Sequence, residues 1–304
     1  MSFEDVTNDS HRKRRYRFIF VGAVVLAIVI GLAVVLGVTV KNLKKPDSFK
    51  NVVIGKCETY LKENTNLSGY SDCETIWQVF EQAYVGRDPC DVPPEAYYPL
   101  INLVKNQLAC NTMLFWSKTK TLVHEFTENR ECLVTLEDTL LGFTFNELTW
   151  CSKNQSKETF TTDCPLWSYC VNNPVRSFWI KASANFAAIA CGNVSTMLNG
   201  SLESPFSSTS IFGDVEVRNL DSTKVHSLTV LLVTKDTDMT TCENASFKDL
   251  QSALNPNITY NCREVPLTTV QGCISNLDIP CSDCFKKGSR RSGLVWNTAA
   301  KHSL

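Results

Sequence analysis

The sequence predicts a disulfide-rich fold of α+β or α/β class. A helical N-terminal subdomain is followed by a C-terminal subdomain in which helices flank a small, mostly parallel sheet. Helix-start signals recur through the first half, and runs of β-branched residues mark the second half. All 14 cysteines follow residue 56, and so high a number of cysteines is typical of a domain that folds in an oxidising compartment.

The helices of the first half are predicted from their start signals. Ser71-Asp-Cys-Glu74 is similar to a capping box, in which serine and glutamate side chains satisfy amides of the first turn. In Asn172-Asn-Pro174, asparagine can cap a helix and proline fits its first position. This signal predicts a long helix that ends near Leu198, before Asn199-Gly200. Shorter helices are predicted over 94–103, 117–126 and 135–142.

The second half has a different periodicity. Polar and apolar residues alternate over Asp214–Arg218, which predicts a strand with Glu216 on its polar side. Leu228–Thr234 is a short apolar run typical of a buried strand. A helix over Phe247–Leu254 and a strand over Ile258–Asn261 follow. Strand, helix and strand in succession predict a small α/β unit with parallel pairing.

An uncharged apolar run of 23 residues, Phe18–Val40, precedes every cysteine. As a helix it would extend roughly 34 Å, enough to cross a bilayer core of about 30 Å. A secretory signal usually has a shorter apolar run and a cleavage site of small residues, and a buried core helix rarely lacks a polar face. The run therefore predicts an uncleaved membrane anchor.

Cysteines and glycosylation sequons indicate the orientation of this anchor. Five basic residues precede it and four follow closely, so the charge rule favours a cytoplasmic N-terminus only weakly. Six Asn-X-Ser/Thr sequons follow the span. We therefore predict a type II single-pass protein of the plasma membrane. Its segments are a cytoplasmic tail (1–17), the span (18–40), a stalk (41–50), an extracellular domain (51–285) and a flexible basic tail (286–304).

Charge and motifs exclude several functions. The net charge is −1, so the chain lacks the basic surface of a nucleic-acid-binding protein. The four histidines make no metal-binding spacing, and we predict no metal site. Cys281-Ser-Asp-Cys284 is an isolated pair of cysteines, which we interpret as disulfide-bonded. A redox or metal protein built on this pair is the alternative.

Tryptophans and acidic residues are the remaining candidates for chemistry. Trp116 lies in an apolar segment, and Trp179 lies one helical turn before Ser183. Glu137 and Asp138 stand at the start of an apolar helix, where acids favour the helix dipole. Each has a purely structural interpretation: tryptophans are usually core residues, and Glu216 could be an exposed strand residue.

Together these segments resemble the ADP-ribosyl cyclase family, in its single-pass membrane branch. The resemblance runs from about Cys57 to Cys281. It is carried by Thr135–Gly142, Leu148–Cys151, Asn172–Val175 before Phe178-Trp179, Met197–Gly200 and Phe212-Gly-Asp-Val-Glu-Val217.

The resemblance implies an ectoenzyme that cleaves the nicotinamide–ribose bond of NAD. The products would be ADP-ribose and cyclic ADP-ribose, and the enzyme would also hydrolyse cyclic ADP-ribose, in calcium-mobilising signalling. NAD is then a substrate and no cofactor is implied. NADP is a further candidate ligand, and a homodimer is a candidate assembly. A cell-surface receptor or adhesion module on the same fold, without turnover, is the alternative.

Site residues are implied in the same way. Glu216 matches the catalytic carboxylate, and Trp116 and Trp179 match the residues that stack on the substrate. Glu137 matches the acid that contacts nicotinamide and favours hydrolysis over cyclisation. Ser183 and Phe212 match residues near the ribose and phosphates. Three further positions depart from the family pattern: Lys118 replaces a usual Arg, Asn146 replaces an Asp common in the membrane branch, and Ile211 replaces a usual Thr.

The resemblance also implies the disulfide pairing. The implied pairs are Cys57–Cys73, Cys90–Cys170, Cys110–Cys191, Cys151–Cys164 and Cys242–Cys262, with Cys273 joined to Cys281 or Cys284. Cys110–Cys191 would link the two tryptophan segments and support the site. Cys132 and one of Cys281 or Cys284 remain, and they either bond to each other or are free thiols.

Overall fold

The computed structural model describes residues 48–64, 72–104, 108–235 and 240–285. The described residues from Phe49 onward belong to one compact unit. The predicted cytoplasmic tail, membrane span and basic C-terminal tail lie outside the described residues, as does the stalk up to residue 47. Within the described ranges, no helix combines the length and apolarity needed to cross a membrane.

A four-stranded sheet is the centre of the fold, with its strands in the order β1-β2-β3-β4 and every neighbouring pair parallel. The strands are β1 (Leu114–Ser117), β2 (Gly192–Asn199), β3 (Val225–Thr234) and β4 (Thr259–Pro266). The predicted parallel pairing of two strands around a helix is confirmed for β3 and β4. The strands β1 and β2 were not predicted.

Helices surround the sheet, in agreement with the predicted fold class. The α-helices are α1 (Phe49–Glu63), α2 (Cys73–Tyr84), α3 (Tyr98–Leu103), α4 (Lys120–Asn129), α5 (Leu140–Phe145), α6 (Pro174–Ala188), α7 (Val217–Asn219), α8 (Ser246–Ala253) and α9 (Leu267–Ser275). Turns of 3₁₀-helix span Pro94–Tyr97, Leu136–Asp138 and Cys281–Asp283, and a π-helix spans Phe212–Glu216.

Alternate strand residues supply two separate apolar cores. Leu228, Val230 and Leu232 face the larger core, which includes the aromatic residues of α2 and α6. Leu231 and Val233 face a smaller core against α4 and α9. Because successive side chains of a strand point to opposite faces, one continuous apolar run can fill both cores. The sheet is therefore covered by helices on both faces.

Helix caps follow the predicted chemistry with one shift. Asn173 caps α6, since its side-chain oxygen accepts hydrogen bonds from the amides of Val175 (3.0 Å) and Arg176 (3.1 Å). Asp72 caps α2 by accepting from the amide of Thr75 at 2.9 Å. The predicted capping box at Ser71 was therefore misplaced by one residue, because Asp and Ser are both good caps and adjacent in sequence.

Three predicted helices had the wrong boundaries. The one predicted over 135–142 is a 3₁₀ turn, Leu136–Asp138, followed by α5, Leu140–Phe145. The helix predicted to reach Leu198 ends at Ala188, and its last third is β2. Gly192 begins β2 with φ +75°, and Val194 and Thr196 lie buried on the same face of that strand. The helix predicted over 117–126 begins at Lys120 and ends at Asn129. Residue 117 belongs to β1, whose four residues are too short for a periodic signal.

The strand predicted over Asp214–Arg218 was wrong. These residues lie in the π-helix and α7, within the connection from β2 to β3. Because β2 and β3 pair directly and in parallel, the chain between them must cross over the sheet, and a helix normally makes that crossover. Alternation over five residues did not distinguish this helix from a strand.

Every disulfide implied by the resemblance is present. Cys273 bonds to Cys284, and Cys132 bonds to Cys281. No cysteine is free, so the remaining pair is joined within the chain. Cys281 and Cys284 are not bonded to each other, which removes the basis for a dithiol or metal centre built on that pair.

Candidate active site

A cavity of about 600 Å³ opens beside the carboxyl end of β1. Ligands of open parallel sheets commonly bind outside the carboxyl ends of the strands. Eight of the predicted site residues line this cavity: Glu216, Trp116, Lys118, Glu137, Asn146, Trp179, Ser183 and Phe212. These side chains come from segments separated by up to a hundred residues, and the fold brings them together.

Glu216 is the buried carboxylate of the cavity, with 7% of its surface exposed. It stands at the end of the π-helix, a conformation that is rare and frequent at functional sites. Burial raises the pKa of Glu216 to about 8, and the charge of Glu137 adds to this effect. A hydrogen bond from Ser183 opposes it by stabilising the carboxylate. The cavity therefore contains a carboxyl group whose pKa lies well above that of a carboxyl group in water.

Gly213 fixes the position of this π-helix. A Cβ atom at residue 213 would come within 2.3 Å of the carbonyl oxygen of Ser207, so no side chain fits there. Phe212, the next residue back, is 1% exposed, and its ring packs against Phe115 and Phe206 at centroid distances of 6.2 and 6.1 Å. Phe212 thus lines the cavity from within the core and anchors the turn that carries Glu216.

A hydrogen bond joins the side chains of Trp116 and Glu137. The indole Nε1 of Trp116 donates to Oε2 of Glu137 at 3.1 Å. Glu137 lies in a 3₁₀ turn held by a capping box, in which Asp138 accepts from both the amide and the hydroxyl of Thr135 at 2.7 Å. Glu137 and Asp138 therefore have different roles: Asp138 fixes the turn and Glu137 faces the cavity.

The other predicted residues lie around the cavity wall. Trp179 and Ser183 are one turn apart on α6, as predicted. Lys118 follows β1 with φ +60° and is exposed. The backbone carbonyl of Asn146 accepts a hydrogen bond from the ammonium of Lys56 at 2.7 Å. Ile211, the third departure from the family pattern, also lines the cavity.

Sequence reasoning missed three residues at this site. Lys120 and Glu147 form an ion pair at 3.2 Å on the cavity wall, and Lys120 lowers the pKa of Glu147. Trp167 lines the cavity with 42% of its surface exposed. A tryptophan between two cysteines was a weak signal for this position; nothing in the sequence indicated the ion pair.

The disulfide Cys110–Cys191 does not line the cavity. It joins the residues just before β1 to the residue just before β2. It therefore acts at the opposite end of the strands from Trp116 and Lys118. No group of three or more His, Cys, Asp or Glu side chains able to hold a metal ion occurs within the described ranges.

The fold and the cavity define a class of protein: an α/β protein with a buried carboxylate and tryptophans at the carboxyl edge of a parallel sheet. The family model of ADP-ribosyl cyclase matches residues 46–282. The ADP-ribosyl cyclase/cyclic ADP-ribose hydrolase 1 of Rattus norvegicus is 38% identical over 238 residues, covering 76% of this chain and 78% of the relative.

Two solved structures are similar throughout the described unit. Porcine CD38, in complex with a covalent intermediate, has a TM-score of 0.68 at 37% identity and covers 73% of this chain and 97% of its own. Aplysia cyclase, complexed with substrate NGD and product cGDPR, has a TM-score of 0.66 at 27% identity, covering 77% and 96%. This chain belongs to the ADP-ribosyl cyclase family, and the resemblance found in the sequence is confirmed.

Proposed function

We propose that this protein cleaves the nicotinamide–ribose bond of NAD, with Glu216 as the catalytic carboxylate. The observation that carries the proposal is the buried Glu216 in a cavity that also contains Trp116 and Trp179. The products would be ADP-ribose and cyclic ADP-ribose, and cyclic ADP-ribose would itself be hydrolysed. The names of the relatives, ADP-ribosyl cyclase/cyclic ADP-ribose hydrolase, agree with both activities.

The chemistry needs only one carboxylate. Nicotinamide is a cation when bound to ribose and leaves as a neutral molecule, so no general acid has to protonate it. Glycosidases that must protonate their leaving group use two carboxyl groups. Glu216 would stabilise the positive charge that develops on the ribose, or form a covalent bond with its anomeric carbon. Water then gives ADP-ribose, and the adenine of the same molecule gives cyclic ADP-ribose.

Other cavity residues would position the substrate. A cation over a tryptophan ring contributes roughly 0.5–2 kcal/mol, which is far below the barrier reduction of about 8 kcal/mol or more that enzymes supply. Trp116 and Trp179 would therefore orient the two aromatic ends of NAD. Glu137, fixed by its bond from Trp116, would contact the nicotinamide and favour hydrolysis. The ammonium of Lys118 would bind a phosphate, with less geometric control than an arginine.

A product assay tests this function. Purified protein incubated with NAD should release nicotinamide, ADP-ribose and cyclic ADP-ribose. Chromatography separates these three products and measures the amount of each. Binding of NAD without release of nicotinamide would contradict the proposal and favour a receptor on the same fold.

The activity should increase with pH. The active form of Glu216 is the carboxylate, and its pKa in the free enzyme is about 8. We expect kcat/KM for NAD to rise about tenfold per pH unit below this value and to level off above it. In the complex, the pyridinium charge stabilises the carboxylate, so kcat should level off at a lower pH. A kcat/KM that is constant between about pH 6 and 9 would contradict this assignment.

We also propose that the protein is a type II single-pass protein of the plasma membrane with its catalytic domain outside. The apolar run over 18–40 and the positions of the sequons support this topology. The pairing of all 14 cysteines agrees with an oxidising compartment. The catalytic domain would comprise 51–285, after a stalk over 41–50.

Enzymatic deglycosylation and protease protection test this topology. On intact cells, added protease should remove the catalytic domain, and an epitope tag at the N-terminus should remain protected. Removal of N-linked glycans should lower the apparent mass. Protection of the catalytic domain together with an accessible N-terminal tag would contradict the proposed orientation.

A further inference from the structure

Two disulfides converge on the turn Cys281–Asp283, outside the cavity described above. Cys281 bonds to Cys132, and Cys284 bonds to Cys273. The first bond is partly exposed at both cysteines, whereas Cys273 and Cys284 are 1% and 0% exposed. A thiol in solution can therefore reach the first bond and not the second.

The guanidinium of Arg130 lies against both bonds. Its Nη2 atom is 3.7 Å from Sγ of Cys281 and 4.0 Å from Sγ of Cys284. Its other contacts are the carbonyl oxygens of Asn276 and Ile279. The residue is 6% exposed, and no carboxylate within the described ranges pairs with it. A buried positive charge is thus held against sulfur atoms by neutral carbonyl groups.

A cation beside a sulfur atom favours the thiolate form of that sulfur, and a stabilised thiolate leaves faster in thiol–disulfide exchange. We propose that Cys132–Cys281 is a site of thiol–disulfide exchange, opened selectively by small dithiols while the rest of the protein stays folded. Arg130 makes Cys281 the leaving sulfur. This is a site on which a reductant acts, and the protein itself is no dithiol catalyst.

Two successive exchange reactions open the bond. A thiolate of the dithiol attacks Sγ of Cys132 and the bond to Cys281 breaks, leaving Cys281 as a thiolate beside Arg130. The second thiol of the reagent, as its thiolate, then attacks the mixed disulfide and releases Cys132. The reagent loses two electrons and becomes a cyclic disulfide, and the protein gains two thiols. The two protons of the reagent pass to the solvent or to the new thiolates.

The location of the bond gives its opening a structural consequence. Val134, two residues after Cys132, pairs with the start of β1: its amide donates to Thr112 at 2.8 Å and its carbonyl accepts from Leu114 at 2.9 Å. The turn that carries Glu137 follows at once. Cys132–Cys281 therefore ties the C-terminal segment of the described domain to the residues that lead into the cavity.

Rates of reduction test the proposal. The full-length protein would be treated with limiting dithiothreitol at neutral pH, alkylated, and mapped by peptide mass spectrometry. We expect Cys132 and Cys281 to be labelled first, about tenfold faster than Cys242 and Cys262. Cys242–Cys262 is a matched control, since it is also partly exposed and no arginine or lysine in the described part of the chain donates to its sulfurs.

Two comparisons separate the cation from simple exposure and from loosened packing. Cys110 is more exposed than Cys132, so earlier labelling of Cys110 and Cys191 would mean that exposure governs the rate of reduction and would overturn the proposal.

Arg130→Gln should slow the labelling of Cys132 and Cys281 by about tenfold, and Arg130→Lys should restore most of the rate. Faster labelling in Arg130→Gln would indicate a structural role alone and would also overturn it. Arg263→Gln, which removes a hydrogen bond to the carbonyl oxygen of Phe285, should leave the rate of labelling of Cys132 and Cys281 unchanged.

Discussion

The variant Glu216→Gln is expected to lose nicotinamide release from NAD by about a thousandfold or more, equivalent to about 4 kcal/mol of transition-state stabilisation. Glutamine keeps the size of the side chain and can still accept from Ser183, but it carries no charge to stabilise the developing cation. The measurement is the initial rate of nicotinamide release at pH 8. Retention of more than a tenth of the activity would show that Glu216 is not the catalytic carboxylate.

The same variant should be more stable than the parent at alkaline pH. The pKa of Glu216 is about 8 when folded, above the usual value of 4.5, so the folded state binds more protons between these values. The stability that Glu216 contributes therefore falls as pH rises through this window. Each pKa unit corresponds to 1.36 kcal/mol, so glutamine should raise the thermal midpoint by several degrees at pH 8 and little at pH 5.

Asp214→Asn is the matched control for both measurements. Asp214 lies on the same π-helix, but it is exposed and pairs only loosely with Arg218 at 3.7 Å. The substitution removes one negative charge only two residues before Glu216 in the sequence. Activity and thermal midpoint should both stay close to those of the parent. A loss in Asp214→Asn similar to that of Glu216→Gln would mean that net charge, and not the buried carboxylate, controls the site.

Removal of Cys110–Cys191 is expected to cost about 4 kcal/mol of stability. The bond closes a loop of 81 residues and so restricts the conformations of the unfolded chain. Without the bond the unfolded chain gains conformational entropy, which lowers the free energy of unfolding by this amount. The double variant Cys110→Ala/Cys191→Ala, unfolded by urea, should show the decrease as a lower midpoint. A decrease below about 1 kcal/mol would contradict the chain-entropy argument.

Cys90–Cys170 gives the control for position, because its sequence separation of 80 residues is nearly the same. Its removal should therefore cost a similar amount of stability. The two variants should differ in activity: Cys110–Cys191 holds the ends of β1 and β2 together, and β1 leads to Trp116 and Lys118. At low temperature we expect kcat/KM to fall about tenfold only when Cys110–Cys191 is lost. Equal activity losses would contradict a specific role of Cys110–Cys191 in positioning the site.

Most of the candidate site could be predicted from the sequence because it is carried by long motifs. The segments around Glu137, Trp179 and Glu216 matched a family pattern, and the fold places all three at one cavity. Lys120–Glu147 and Trp167 could not be found in this way, because their contribution depends on which loops meet at the cavity wall.

Secondary structure was predicted well where a chemical signal was strong. Asn173 and Pro174 gave the correct start of α6, since capping is a local interaction. The end of that helix and the conformation around Glu216 were wrong, because both depend on pairing between strands distant in sequence. The parallel pair β2 and β3 requires a crossover helix where the local pattern suggested a strand.

The sequence by itself determined the family and the residue types of the candidate site. These follow from composition and from motifs that are contiguous in the chain. Only the tertiary structure decided the environment of Glu216 and the partner of Cys132. Burial, the approach of Ser183 and the pairing of Cys132 with Cys281 depend on how segments pack across long separations, and no local pattern contains that information.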